Sequence, residues 1–273
     1  MGWLLIGASA LGSALFVAAA MRARHGFLAR IIGLLRRIEQ APKALSQRSD
    51  LPPEVFALAR RLGASANPCG RLVRLTQSGE MQLKPGAKSF AFKAEQTISV
   101  AEVSFIWRAR FKIAGLPMQI VDYLVGGEGG LQGRIFDIFP VVAATDTDAM
   151  FRGEAMRYLS ELIWNPDAIL FNPELDWRAI DSRTLGISTG RGVRRCEVRL
   201  TLNEAGDPVG MEADDRPRQD GGSLTVCPWF VRGGGYRVNH GRRLPTEGVA
   251  GWRLDGIEFI YWRGHIESWS IEA

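Results

Sequence analysis

The chain has 273 residues, 46% of them hydrophobic and 23% charged, which is enough to bury a full core as one large β-rich domain or two small ones. Its net charge of +5 is unevenly spread, because residues 21–74 hold eleven Arg and Lys against three acids. The rest is close to neutral, and that excludes the basic folded surface a nucleic-acid reader needs.

Cys69, Cys196 and Cys227 have no short paired spacing, and His25, His240 and His265 lie far apart. Neither a disulfide framework nor a metal site is expected, and no cofactor motif is present. The run Trp3 to Ala20 carries no charge and reaches about 27 Å as a helix, just enough to span a bilayer. A cleaved signal is the rival reading, with Ala18-Ala19-Ala20 as its cleavage site, but no positive segment precedes the run. Arg22, Arg24, Arg30, Arg36 and Arg37 follow it instead, which predicts a retained anchor with the body on the cytoplasmic side.

The expected organisation is an anchor over residues 1–21, a basic amphipathic helix and linker over 22–50, and a single β-rich domain over 51–273. In the basic helix, Phe27, Leu28, Ile31, Ile32, Leu35 and Ile38 recur at helical spacing. That face suits either the headgroup layer of a membrane or the folded body, and both readings stay open. Pro52-Pro53 and Glu54 then open a short helix that ends at Gly63.

From Leu72 the pattern changes to period two. RLVRLTQSGEMQLK reads as a hairpin, and FAFKAEQTISV, SFIWRARFKI, MQIVDYLVG and LQGRIFDIFPVV follow as strands. Phe105, Trp107, Ala109, Phe111 and Ile113 alternate with Arg108, Arg110 and Lys112, so one face of the sheet is dry and the other wet. A helix capped by Asp146 or Thr147 interrupts the strands and stops at Asn165-Pro166. Strands then resume to the C-terminus, with Gly126, Gly127, Gly129, Gly130 and Gly233 to Gly235 as bends or bulges. The fold class is α+β: a large curved antiparallel sheet with a few helices on one face, preceded by one transmembrane helix.

RYLSELIWNP, LDWRAID, DDRPR, CPWF, GYRVNHGRRLPTEGVAGWRLDG and FIYWRGHIESW, in that order, resemble a family of bacterial proteins of unknown function that typically carry one N-terminal membrane segment. The resemblance spans Leu51 to Glu272 and implies no activity. By strand count and inserted helix the chain is also similar to the lipoprotein-carrier half-barrels, which implies a concave sheet that holds acyl chains.

The site candidates cluster on the interrupting helix. Arg157, Glu161 and Trp164 lie at i, i+4 and i+7, with Asp122, Glu212, Arg216, Arg243 or Glu247 as polar partners. They can be a buried network that fixes the helix, a ligand-facing cluster, or an acid/base site using Glu161 with Asp122 or Glu212. GISTG matches GxSxG around Ser188, but no helix follows to present a nucleophile. Seven of the eight tryptophans belong to the body, as core or as walls of an apolar groove. The leading expectation is a membrane-tethered, non-catalytic binding domain for an apolar or amphipathic ligand, lipids included. Trp164, Trp177 and Trp229 would line the hollow, and Arg157 and Glu161 would set its polar end. A hydrolase or isomerase, and a scaffold that binds a partner protein through a sheet edge, are the alternatives.

Overall fold

Period-two segments expose backbone groups on both sides, and each strand needs neighbours that satisfy them. A computed structural model of the chain describes residues 2–43, 46–67, 70–220 and 223–272, with side chains from residue 14 onward except that of residue 220. Among the described residues, thirteen strands join in one antiparallel sheet. They are β1 Leu72–Gln82, β2 Ser89–Ser99, β3 Phe105–Ile113, β4 Leu116–Val125, β5 Glu128–Ile135, β6 Phe139–Ala144, β7 Asp176–Asp181, β8 Thr184–Thr189, β9 Cys196–Leu202, β10 Pro208–Asp220, β11 Ser223–Asn239, β12 Arg242–Leu254 and β13 Ile257–Glu272. The spatial order runs from β6 down to β1, then from β13 down to β7, so the first and last strands pair in the middle.

Four helices complete the fold: α1 Gly2–Glu39, α2 Pro53–Arg61, α3 Asp148–Ser160 and α4 Pro166–Phe171, with a 3-10 turn at Glu161–Trp164 between the last two. α3 touches β4 and β5 and also β8, β9 and β10, which lie far across the sheet. One helix can reach both sets only from inside a curl. The sheet is therefore a half-barrel wrapped around α3, the 3-10 turn and α4. Val73, Leu75, Ile98, Phe105, Trp107 and Leu124 point inward and join Trp164, Trp229 and Trp269 in the main core.

The alternation read in β3 holds: Phe105, Trp107, Ala109 and Phe111 are buried while Arg110 and Lys112 are exposed. Ile106 belongs to a second, smaller core on the convex side, where Phe27, Ile31, Leu34 and Ile38 of α1 meet Val121, Tyr123 and Val125. Helices thus cover both faces, not one as expected. Between its two possible surfaces, the C-terminal half of α1 lies on the sheet. Arg30 and Arg37 bind Glu128, and Arg37 also donates to the Val125 carbonyl at 2.9 Å.

α1 runs unbroken through residue 22. Leu15, Phe16, Val17 and Met21 are exposed on successive sides of it, which is the pattern of a helix apolar all round. Among the described residues, no helix is long and apolar enough to cross a membrane. Most of the anchor expected over Trp3 to Ala20 lies outside the residues whose side chains are described.

Three other expectations change. RLVRLTQSGEMQLK is not a hairpin: Leu72–Gln82 is one strand, β1, which runs through Ser78 and Gly79 paired to β2. LQGRIFDIFPVV is a hairpin, not one strand: it turns at Phe136 and Asp137, both at positive φ (55° and 61°). SLTVCPWFV and GGYRVN are one strand, β11, which passes through Gly233 to Gly235 without ending. Gly126 and Gly127, at φ 58° and 76°, make the two-residue β4–β5 turn, where both positions must be left-handed. The edge strands β6 and β7 are each six residues long and largely exposed, which limits pairing with another chain.

Candidate functional site

The alternation that buries Ile120 and Leu124 also sends Asp122 inward from β4, and it sends Gln77 and Gln96 inward from β1 and β2. Polar groups placed in that interior need partners there. α3 supplies them. Thr147 caps its N-terminus by accepting from the Met150 amide at 3.0 Å. Glu154, Arg157 and Glu161 then fall on one stripe at i, i+3 and i+7. Arg157 donates from Nε to Glu161 at 2.9 Å and from Nη1 to Asp122 at 2.5 Å. Its guanidinium also sits 4.8 Å from the Phe105 ring centre and 5.0 Å from that of Trp107.

From Glu161 the chain of bonds continues through Gln96 to Gln77, which accepts the Trp107 indole N–H at 2.9 Å. Burial raises the Glu161 carboxyl, and Arg157 opposes that rise. Glu154 is raised well above its ordinary range, first by burial and then by the negative charge of Asp122, so it is the natural holder of a proton beside that carboxylate. The proton that Glu154 keeps bonds it to the Asp122 carboxylate.

On the other side of α3, Arg216 of β10 donates to the Gly153 carbonyl at 3.2 Å and to the Tyr261 hydroxyl at 3.2 Å. It stacks 4.2 Å from the Trp229 ring, and the Trp229 indole donates to the same Tyr261 oxygen at 3.1 Å. Trp164 donates to the Pro245 carbonyl at 2.9 Å, and its own carbonyl accepts from Trp269 at 2.8 Å. Of the expected site residues, Arg157, Glu161 and Trp164 therefore come together on one helix and turn, and Trp229 reaches α3 through Arg216. Trp177 stands apart on the edge strand β7, half-buried, with an indole nitrogen that has no partner among the described residues. Trp164 and Trp229 are 4% and 1% exposed.

The other expected partners of Arg157 go elsewhere. Arg243 pairs with Asp207, which also binds Arg61 and is held well below the usual carboxylate range by these two cations. Glu212 binds Arg253 at 2.5 Å, so Glu161, Asp122 and Glu212 do not share an open cleft. A second clasp joins Arg242 to Asp167, which also accepts from the Ser65 amide at 2.9 Å and so ties α4 to β12. Sequence reading missed Gln77, Gln96 and these clasps. The two glutamines were visible as polar residues on an otherwise apolar period-two face.

Ser188 lies inside β8 and accepts from Arg195 at 2.9 Å, and only a three-residue 3-10 turn at Gly192–Arg194 separates β8 from strand β9. Burial pushes the Cys196 thiol up to about 12; Cys69 lies outside the described residues. Among the described residues, no group of three or more His, Cys, Asp or Glu could hold a metal ion.

Over 80% of its length the chain is similar to a LolA superfamily protein from Nitrosomonas europaea, at 13% identity, covering 94% of that chain with a TM-score of 0.42. A DUF1329 family protein from Desulfovibrio piger is similar over the same share, at 10% identity, 91% of that chain and a TM-score of 0.44. No curated protein matches the sequence. Residues 42–264 match the Family of unknown function (DUF6544), and the chain belongs to that family.

Proposed function

We propose that the protein is a membrane-tethered binding domain for an apolar or amphipathic ligand, a lipid being the simplest case, and that it works by binding rather than by catalysis. The tether is the uncharged run Trp3 to Ala20 at the head of α1, and the arginines that follow it keep the body on the cytoplasmic side of a bacterial plasma membrane. α3, the 3-10 turn and α4 are the movable filling of the half-barrel, which a ligand replaces or pushes aside. Trp164, Trp177 and Trp229 then supply apolar wall, and Arg157 with Glu161 marks the polar end.

One observation carries this reading. The stripe on α3 puts charged groups inside the curl of the half-barrel: Arg157 pairs with both Asp122 and Glu161, and Glu154 lies against Asp122, all of them largely buried. Charges cost free energy to bury even when paired, so a helix present only to fill the curl would be apolar on this face. A ligand with an apolar tail and a polar or charged head fits such an interior. Native mass spectrometry and lipid extraction, on full-length protein purified from its own membrane, test it. The expected result is a stoichiometric amphiphile that leaves when the protein is denatured; a chain that is reproducibly ligand-free would overturn the reading.

A further inference from the structure

The sheet has two ends, and they differ in what they expose. At one end lie the β1–β2, β3–β4, β5–β6 and β12–β13 turns, because β1, β3, β5 and β12 all run toward it. Large apolar side chains stand exposed at each: Leu83, Leu116, Phe136 with Phe139, and Ile257. Lys84, Lys88 and Lys112 are exposed among them. Phe136 holds its ring outward from a backbone at φ 55°, a conformation that a bulky residue rarely takes and that turn chemistry alone would give to glycine or asparagine.

α1 fixes which way this end faces. Near residue 37 it is bonded to Val125, at the opposite end of β4. Near residue 23 it is held at the apolar end, where Arg134 donates to the Ala23 carbonyl at 3.2 Å and Arg24 pairs with Asp137 at 3.8 Å. The fourteen residue steps of α1 between them span about 21 Å, matching the seven steps along β4 from Met118 to Val125 at about 3.3 Å each. Residues before Arg22 therefore leave the body past the rim of Leu83, Leu116 and Phe136, with Arg22 and Arg24 level with it. A groove of about 420 Å³ opens there, lined by Arg24, Arg110, Phe111, Met118 and Phe136, so apolar wall and guanidinium groups share one opening.

We propose that this rim is a membrane-contact surface. Leu83, Leu116, Phe136 and Phe139 enter the headgroup layer of an anionic bilayer, the lysines and arginines bind lipid phosphate, and the groove between α1 and the β3–β4 turn takes one lipid headgroup. The surface rests on the tether described above, because α1 is what brings the rim to the bilayer. It sets the half-barrel upright on the membrane, with the β4–β5 and β11–β12 turns pointing away.

Photocrosslinking of the full-length chain in vesicles tests it, with p-benzoylphenylalanine placed at Phe136 or Leu83 and, as the distal control, at Val238, which is 70% exposed in β11 at the other end. Lipid adducts at the rim positions should exceed those at Val238 by about fivefold or more, and phosphatidylglycerol vesicles should give more than phosphatidylcholine ones. With the crosslinker at Phe139, the combined substitutions Leu83→Ser, Leu116→Ser and Phe136→Ser should cut the adduct yield; all three positions are exposed, so folding is spared. Flotation of the same samples reads the tether independently. A chain that floats but crosslinks equally at both ends overturns the contact surface and leaves the tether standing, whereas a chain that does not float overturns both.

Discussion

Glu154 is the residue where the interior is least at ease. It is 8% exposed, its carboxyl lies beside Asp122, and burial with that neighbouring charge holds its proton on well above the ordinary 4.5. Below about pH 4.5, folded and unfolded chains both carry this proton, and the site contributes no pH dependence. As pH rises further, the unfolded chain releases the proton while the folded chain keeps it, so stability is lost across the window between the ordinary value and the raised one. Glu154→Gln keeps the shape and the neutral state and removes the titration. The expected outcome is a stability advantage of the variant over wild type that is small near pH 4.5 and widens as pH rises through that window, read from urea unfolding midpoints in detergent. A difference that stays flat with pH would mean that Glu154 is ionised in the folded protein.

Elements were legible in the sequence wherever one physical requirement decided them, and illegible where two environments ask for the same pattern. The inward face of β3 followed directly from Phe105, Trp107, Ala109 and Phe111, and the Thr147 cap and the Asn165-Pro166 break followed from local backbone chemistry. The same Pro166 also opens α4, whose six residues are too short to show a helical period. The β5–β6 turn was hidden because Phe136 and Asp137 occupy positions that sequence rules give to glycine. At the candidate site, Arg157, Glu161 and Asp122 were readable as polar residues on apolar stripes. The Asp207 clasp was not, since its partners Arg61 and Arg243 are 146 and 36 residues away.

α1 shows the ambiguity most clearly, because lipid and a sheet face both select an apolar stripe flanked by arginines. Its packing separates two isoleucines that the sequence cannot tell apart. Ile38 is 0% exposed against the convex core and Ile32 is 48% exposed. Ile38→Ala should destabilise the protein by about 2–5 kcal/mol, while Ile32→Ala should stay within about 0.5 kcal/mol. Chemical denaturation of the two variants in detergent checks this; equal and small effects would mean that the helix lies off the sheet.

At the scale of the whole molecule, the chain order and the core make opposite suggestions about independence. Strands β1 to β6 form one continuous meander and β7 to β13 form another, so each half could fold as a local unit. The main core nevertheless takes Leu75, Phe105 and Trp107 from the first half and Leu185, Val198 and Trp229 from the second, with α3 between them. The seam is the antiparallel β1–β13 pairing, which joins the two ends of the strand series and lets neither half present a finished edge. A core shared in this way has no surface along which it can separate without exposing Trp164 and the charged stripe of α3, which argues that residues 51–273 unfold as one unit. Trp107→Phe removes the one tryptophan of strands β1 to β6, whereas Trp229→Phe keeps it and leaves Trp177, Trp252, Trp262 and Trp269 in β7 to β13, so the fluorescence of the two variants weights the halves differently. Their urea transitions should coincide with each other and with far-UV circular dichroism once each curve is referred to its own variant's midpoint. Transitions that separate within one variant would place a cooperative boundary at the β1–β13 seam, and the half-barrel would then be two modules clamped together by the helix they share.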